Sequence, residues 1–159
     1  LVSIGFSETV AAQGAGVLGG TTVFGLLVMG VVGDRYASRQ RYVLASIYVL
    51  RGLALLSLLL VATVPGIFVF ATVYGFLTLC TVPLHASITA ERFGAANLTT
   101  LVAVQYTGHQ LGAATAALTA GWIFDTLGSY RWAHLLGVGL LTIAPVLVLV
   151  DRRRNPAVA

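Results

Sequence analysis

The sequence predicts an all-α membrane protein with five transmembrane helices. Three observations support this fold class: 58% of the residues are apolar, five long stretches carry almost no formal charge, and the arginines gather at the ends of these stretches. Soluble domains carry about 25% charged residues, whereas this chain carries 9% and has a mean hydropathy of +0.94. So few charged residues could not cover the surface of a globular protein in water. The lipid bilayer is therefore the expected solvent.

The first predicted span covers residues 10–32, which carry no formal charge. At 1.5 Å per residue this length crosses a hydrocarbon core of about 30 Å. Within it Ala12, Gly16 and Gly20 recur at every fourth position, which predicts close helix packing along one face. Residues 1–9 are then the exterior end of a preceding span and a connecting loop, so we interpret the sequence as a fragment.

The second and third predicted spans cover residues 42–63 and 67–90, separated by a turn with Pro65 and Gly66. The second span is apolar except for Arg51 near its middle. Pro83 lies inside the third span and removes one helical hydrogen bond, which predicts a kink toward the Glu91 end of the span.

The fourth predicted span covers residues 98–124 and the fifth covers residues 132–150, with a proline kink at Pro145. The bundle as a whole takes in residues 10–151, followed by a polar tail at 152–159. Small residues again recur at every fourth position of the fourth span: Gly108, Gly112, Ala116 and Ala120.

The arginines predict the orientation of the bundle. Arg131 alone falls on one side, and seven fall on the other: Arg35, Arg39, Arg41, Arg92, Arg152, Arg153 and Arg154. The positive-inside rule places the richer side in the cytoplasm. We therefore expect an integral protein of the plasma (inner) membrane whose 30–41 loop and tail are cytoplasmic.

Several function classes lack support in the sequence. The arginines do not form a basic face interleaved with aromatics, so nucleic acid is not an expected partner. There is no nucleophile elbow, no paired-cysteine motif and no phosphate-binding loop, so we expect no enzyme and no cofactor. The three histidines have no metal-site spacing, and Cys80 is the single cysteine.

Residues 30–41, GVVGDRYASRQR, are here named the signature loop. The pattern of Gly30, Asp34, Arg35 and Arg39 resembles the loop of the major facilitator superfamily written G-x-x-x-D-R-x-G-R-R. In place of a basic residue this sequence has Gln40, and Ala37 stands where the family has a second glycine. These departures suit the family's weaker copy, which joins spans eight and nine. The resemblance implies spans eight to twelve of a twelve-helix transporter, a partial C-terminal bundle whose N-terminal half is missing.

Other segments resemble the monocarboxylate and oxalate/formate branch of this superfamily. They are GFSETVAAQGAG at 5–16, YVLRGLALL at 48–56, YGF at 74–76, AERFG at 90–94 and AGWIFDTLGSY at 120–130. This branch often carries a substrate-binding arginine a few residues before the signature glycine, and Leu26 occupies the matching position here.

The signature loop is a candidate conformational latch. Asp34 lies at the end of its helix, where a carboxylate is unfavourable beside the negative helix pole. It therefore needs Arg35, Arg39 or the N-terminus of another helix as a partner, and Gly30 completes the pattern. Such a latch can hold one conformation closed. The alternative is that these charges only anchor and orient the loop.

Transporter substrates bind near the bilayer midplane, and Arg51 and His109 are the ionisable side chains predicted at that depth. The five acidic residues all belong to span ends or loops. An embedded arginine costs at least ~2.5 kcal/mol, so Arg51 needs backbone carbonyls, the missing half or an anionic substrate as a partner. A carboxylate can pair with the guanidinium through two hydrogen bonds. This favours an organic anion, and structural bonding to neighbouring carbonyls is the alternative.

The resemblance places His109 on the eleventh span, which borders the pathway in this superfamily. Its imidazole could exchange protons near neutral pH, donate a hydrogen bond to substrate, or instead join two helices. Gln105, Tyr106 and Thr22 complete the predicted substrate-binding set. His85 and His134 lie near span ends and are expected at the membrane interface.

Together these expectations describe secondary active transport of a small, monocarboxylate-like organic anion by alternating access. Symport and antiport both stay open. Two alternatives remain: proton-coupled efflux of amphipathic drugs, and a membrane scaffold fragment that transports nothing itself.

Overall fold

The computed structural model describes residues 5–150, and the regular elements among them are helical. The predicted all-α class is therefore confirmed. The polar tail at 152–159 lies outside the described residues. Six α-helices follow one another: α1 (Glu8–Arg35), α2 (Gln40–Ser57), α3 (Val64–Thr78), α4 (Thr81–Phe93), α5 (Leu98–Leu127) and α6 (Arg131–Val150).

Four helical segments are long and apolar enough to cross a membrane: Glu8–Arg35, Ala37–Leu60, Val64–Phe93 and Arg131–Val150. They contain most of the first, second, third and fifth predicted spans. α5, which contains the fourth predicted span, has 30 residues but is not among them, because its glutamine, histidine and threonine side chains lower its hydropathy. The chain is thus an integral membrane protein with four candidate spans among its described residues.

The third predicted span contains a helix break. α3 ends at Thr78, and α4 begins at Thr81. Pro83 explains this position, because it lacks the N–H that would donate to the Leu79 carbonyl in a continuous helix, and its ring would clash with that carbonyl. The Val82 N–H donates to the Leu79 oxygen instead, at 3.1 Å. The expected proline kink is therefore an interruption one turn before the proline.

Two glycines allow α1 and α3 to approach closely. A Cβ added to Gly25 would lie against the Phe76 carbonyl oxygen and 2.8 Å from its carbon, and one added to Gly75 would lie 2.8 Å from the Cα of Leu18. Both obstacles are backbone atoms that cannot rotate away. Only glycine fits at these two positions without moving the helices apart.

The predicted small-residue stripes lie elsewhere. A Cβ at Gly16, Gly20, Gly108 or Gly112 would meet no atom within 4 Å among the described residues. The every-fourth-residue repeats therefore mark faces that the described bundle leaves open, and the close contact uses glycines outside them.

The apolar core lies between α2, α3 and α4, where Leu44, Ile47, Leu77, Cys80 and Leu84 form one buried cluster. α6 packs along the other side of α2, with Pro145 inside the helix. α5 packs against α4 and α6 and has no buried residue. Its polar side chains therefore lie on the outside of the described bundle.

Candidate functional site

The signature loop consists of the end of α1, a 3-10 turn at Ala37–Arg39 and the start of α2. Asp34, Arg35 and Arg39 are exposed, and the described residues give Asp34 no ion pair with either arginine. A Cβ on Gly30 would meet open space. The charged side chains of the loop are therefore available to groups beyond the described bundle.

Gln40 attaches the signature loop to α4. Its side chain is 3% exposed, and its Nε2 donates to the Gly33 carbonyl at 3.2 Å and to the Ser87 hydroxyl at 2.7 Å. A bulkier, charged arginine would need a countercharge in this buried position. An uncharged side chain therefore suits position 40, although the Gln40 Oε1 is buried without a partner among the described residues.

Arg51 lies on α2, partly buried inside the bundle. Its guanidinium carbon lies 5.8 Å from the centre of the Tyr74 ring on α3, within the range of a cation–π contact. Its Nε is buried without a hydrogen-bond partner among residues 5–150, which leaves one donor of the guanidinium for another group.

Thr22 lies in the contact between α1 and α3. Its hydroxyl is buried and is 2.7 Å from the Leu18 carbonyl oxygen and 2.9 Å from that of Gly75. A hydroxyl has one proton to donate, so the two carbonyls share it. The structure thus places Thr22 where it joins two helices.

The three predicted site residues on α5 lie near one another. Gln105 donates to the Thr89 hydroxyl on α4 at 2.8 Å, and the rings of Tyr106 and His109 are 6.0 Å apart. Tyr106 and His109 are exposed. They form an outward-facing polar surface on a helix that also exposes large apolar side chains, Leu118 and Trp122 among them.

Tyr48 and His85 form a polar contact that the sequence analysis did not predict. The Tyr48 hydroxyl is 3.0 Å from the His85 Nε2, and the two rings meet edge to face at 6.4 Å. His85, expected near a span end, is eight residues from the end of α4 at Phe93. A signal was present in the sequence, because Thr81, His85 and Thr89 recur every fourth residue and give α4 a polar face.

The structure brings some of the predicted residues together and keeps others apart. Arg51 lies beside the Tyr48–His85 pair, and Gln105 connects to this pair through Thr89, whose hydroxyl donates to the His85 carbonyl at 2.7 Å. Thr22 belongs to a different helix contact. Among the described residues, no group of three His, Cys, Asp or Glu side chains could hold a metal ion.

Two grooves lie elsewhere among the described residues. One, of about 770 Å³, lies between α1, α2 and α3 and is lined almost wholly by apolar side chains such as Phe24, Leu53 and Phe76. The other, of about 830 Å³, lies near the start of α6 beside Arg131 and His134. Neither groove is lined by Arg51 or His109.

Comparison with known proteins gives a consistent result. A family model described as Major Facilitator Superfamily matches residues 2–159. The chain is 33% identical to Monocarboxylate transporter 12 of Mus musculus, with 85% of this chain and 28% of that protein aligned. It is 28% identical to Monocarboxylate transporter 12 of Xenopus laevis, with 98% and 35% aligned. The chain thus spans about a third of the length of these relatives, and no solved structure shows a significant match.

Proposed function

The chain belongs to the major facilitator superfamily, and we propose that it is the C-terminal part of a secondary transporter for a small organic anion. The relatives are named as monocarboxylate transporters, and this chain spans about a third of their length. The remaining helices would supply the other half of an alternating-access transporter, in which two bundles rock around a central site.

In this proposal α5 is the fifth membrane-crossing helix. Its 30 residues are long enough to cross the bilayer. Its low hydropathy fits a helix that borders a polar pathway, because polar side chains at membrane depth face the bundle interior or a water-filled cavity. Full exposure of Tyr106 and His109 in the described bundle leaves them free for a pathway shared with the missing half.

The observation that carries the anion proposal is the buried Nε of Arg51, which has no hydrogen-bond partner among the described residues. The guanidinium lies inside a candidate span next to Tyr74. A buried charge is costly unless it is paired. No carboxylate lies within the same part of these helices, so a substrate carboxylate could bind Arg51 through two hydrogen bonds.

The other predicted residues differ in how directly they act on the substrate. Tyr106 and His109 line the pathway, and His109 binds the substrate or exchanges protons with it. Gln105 contributes from the same helix surface while it stays bonded to Thr89. Thr22 acts through the position of α1, since its hydroxyl is shared between two carbonyls.

The signature loop acts as a cytoplasmic latch in the plasma membrane. Exposure of Asp34, Arg35 and Arg39 leaves these charges free to pair with the missing half in one conformation. Release of such a pair in the other conformation would couple the loop to alternating access. The excess of arginine at this end of the bundle supports its cytoplasmic placement.

A second candidate function is the efflux of an amphipathic solute. The apolar groove between α1, α2 and α3 favours it, because its volume of about 770 Å³ falls in the range of small-molecule pockets. Its polar side chains are already bonded internally: the Thr21 and Thr72 hydroxyls donate to carbonyls of their own helices. Such a groove offers an apolar surface and no hydrogen bond.

The test uses the full-length protein in liposomes and measures uptake of ¹⁴C-lactate at equal protein abundance. Arg51→Gln should reduce uptake about tenfold or more, because a hydrogen bond to a charged group contributes about 1.5–3 kcal/mol. His109→Ala should also reduce it. Arg131→Gln, which changes an exposed arginine outside the signature loop, is the control. Normal uptake by both site variants would remove Arg51 and His109 from the site.

A further inference from the structure

Tyr48 and Arg51 lie three residues apart on α2, so their side chains share one face of the helix. Both are partly buried. The α2 helix therefore presents a cation and a hydroxyl together to the interior of the bundle.

His85 fixes the Tyr48 hydroxyl from the opposite helix. Its Nε2 lies 3.0 Å from the hydroxyl oxygen, and Tyr48 packs against the buried cluster that contains Cys80 and Leu84. When the imidazole hydrogen is on Nε2, His85 donates to the Tyr48 oxygen, and the Tyr48 proton is free to point elsewhere.

A carboxylate bound by Arg51 is the natural acceptor for this proton. The chain would run from the His85 Nε2–H to the Tyr48 oxygen, and from the Tyr48 O–H to the carboxylate. Each bond in such a chain polarises and strengthens the next. The arrangement also places an acceptor beside the Arg51 Nε, which lacks a partner among the described residues.

We propose that Tyr48 donates a second hydrogen bond to the anion held by Arg51, and that His85 is the positioning residue that orients the Tyr48 hydroxyl. The proposal rests on the proposed anion transport. It adds Tyr48 of α2 and His85 of α4 to the site, and this histidine was expected at the membrane interface.

The test compares ¹⁴C-lactate transport kinetics of the full-length protein in liposomes with those of four variants: Tyr48→Phe, His85→Leu, His85→Gln and the Tyr48→Phe/His85→Leu double variant. We expect Tyr48→Phe and His85→Leu each to raise KM about tenfold with little change in the maximal rate per transporter. His85→Gln keeps an amide N–H near the Nε2 position and should stay within about threefold of the wild type.

The double variant separates a shared role from two independent ones. Because His85 acts through Tyr48, the KM of the double variant should match that of Tyr48→Phe. It should not show the product of the two single effects. Tyr42→Phe, an exposed tyrosine of the same helix, should behave as the wild type and controls for a general effect of losing a hydroxyl.

The outcomes are distinguishable. If the wild type transports lactate and Tyr48→Phe leaves KM unchanged, Tyr48 does not contact the substrate and this inference is wrong while the transport proposal stands. Equal losses of maximal rate and membrane abundance in Tyr48→Phe and His85→Gln would show a folding role and would also overturn it. If the wild type transports no anion from a panel of short mono- and dicarboxylates, both proposals fail together.

Discussion

Replacement of Gly25 by alanine tests the closest helix contact in the structure. The new Cβ would lie against the Phe76 carbonyl oxygen and 2.8 Å from its carbon, whereas carbon atoms pack at about 3.5–4.0 Å. Because the obstacle is backbone, α1 and α3 must separate by roughly 1 Å. Such overpacking costs about 1–3 kcal/mol, and separation also weakens the bond between Thr22 and Gly75, which contributes about 0.6 kcal/mol in membrane helices.

Gly20→Ala is the matched control on the same helix, since a Cβ there meets no atom within 4 Å. Both variants gain the same helix propensity, up to about 1 kcal/mol, so the comparison cancels it. We therefore expect Gly25→Ala to be less stable than Gly20→Ala by about 2–3 kcal/mol. Reversible unfolding of the full-length protein in mixed detergent micelles, followed by circular dichroism, measures this difference. Equal stabilities would show that α1 and α3 do not meet at Gly25.

Thr22→Val keeps the side-chain shape and should lower the unfolding free energy by about 0.5–1.5 kcal/mol. The KM for lactate should stay within twofold of the wild type. A raised KM with unchanged stability would place the hydroxyl at the substrate instead. Gln40→Leu loses the hydrogen bonds to Gly33 and Ser87. It should lower the melting temperature by several degrees, at about 2–4 °C per kcal/mol. An unchanged melting temperature would contradict the attachment of the signature loop to α4. Gly30→Ala should not lower stability, because its Cβ meets open space and alanine favours the helix by up to about 1 kcal/mol. It should nevertheless slow transport in liposomes, and normal transport would remove Gly30 from the latch.

The fold class could be predicted from the sequence because composition alone determines which solvent the helices tolerate. Charged residues limited the predicted spans. Pro83 indicated a kink toward Glu91, whereas the helix is interrupted before the proline, between Thr78 and Thr81. Helix partners could not be predicted in the same way. The repeat of Gly16 and Gly20 defines a face of α1, but a face does not specify its neighbour, and the close contact with α3 uses Gly25.

The residues of the candidate site could also be predicted only where they did not depend on which helices pack together. Arg51 was predictable because a charge in an apolar stretch is costly wherever the helix packs. His85 was expected at the interface because the third span was taken to end at residue 90, but α4 continues to Phe93 and carries His85 about 12 Å from its end at 1.5 Å per residue. Its pairing with Tyr48 depends on the contact between α2 and α4, which no local pattern defines.

The polar contacts of α4 affect how variants of α5 should be interpreted. Gln105 bonds to Thr89, Thr89 to the His85 carbonyl, and His85 to Tyr48 beside Arg51. A change at Gln105 can therefore alter Tyr48 without any contact between Gln105 and substrate. His109 has no such connection through α4 among the described residues, since its ring contact is with Tyr106 of its own helix. Loss of transport in a His109 variant is thus stronger evidence for a pathway along α5 than the same loss in a Gln105 variant.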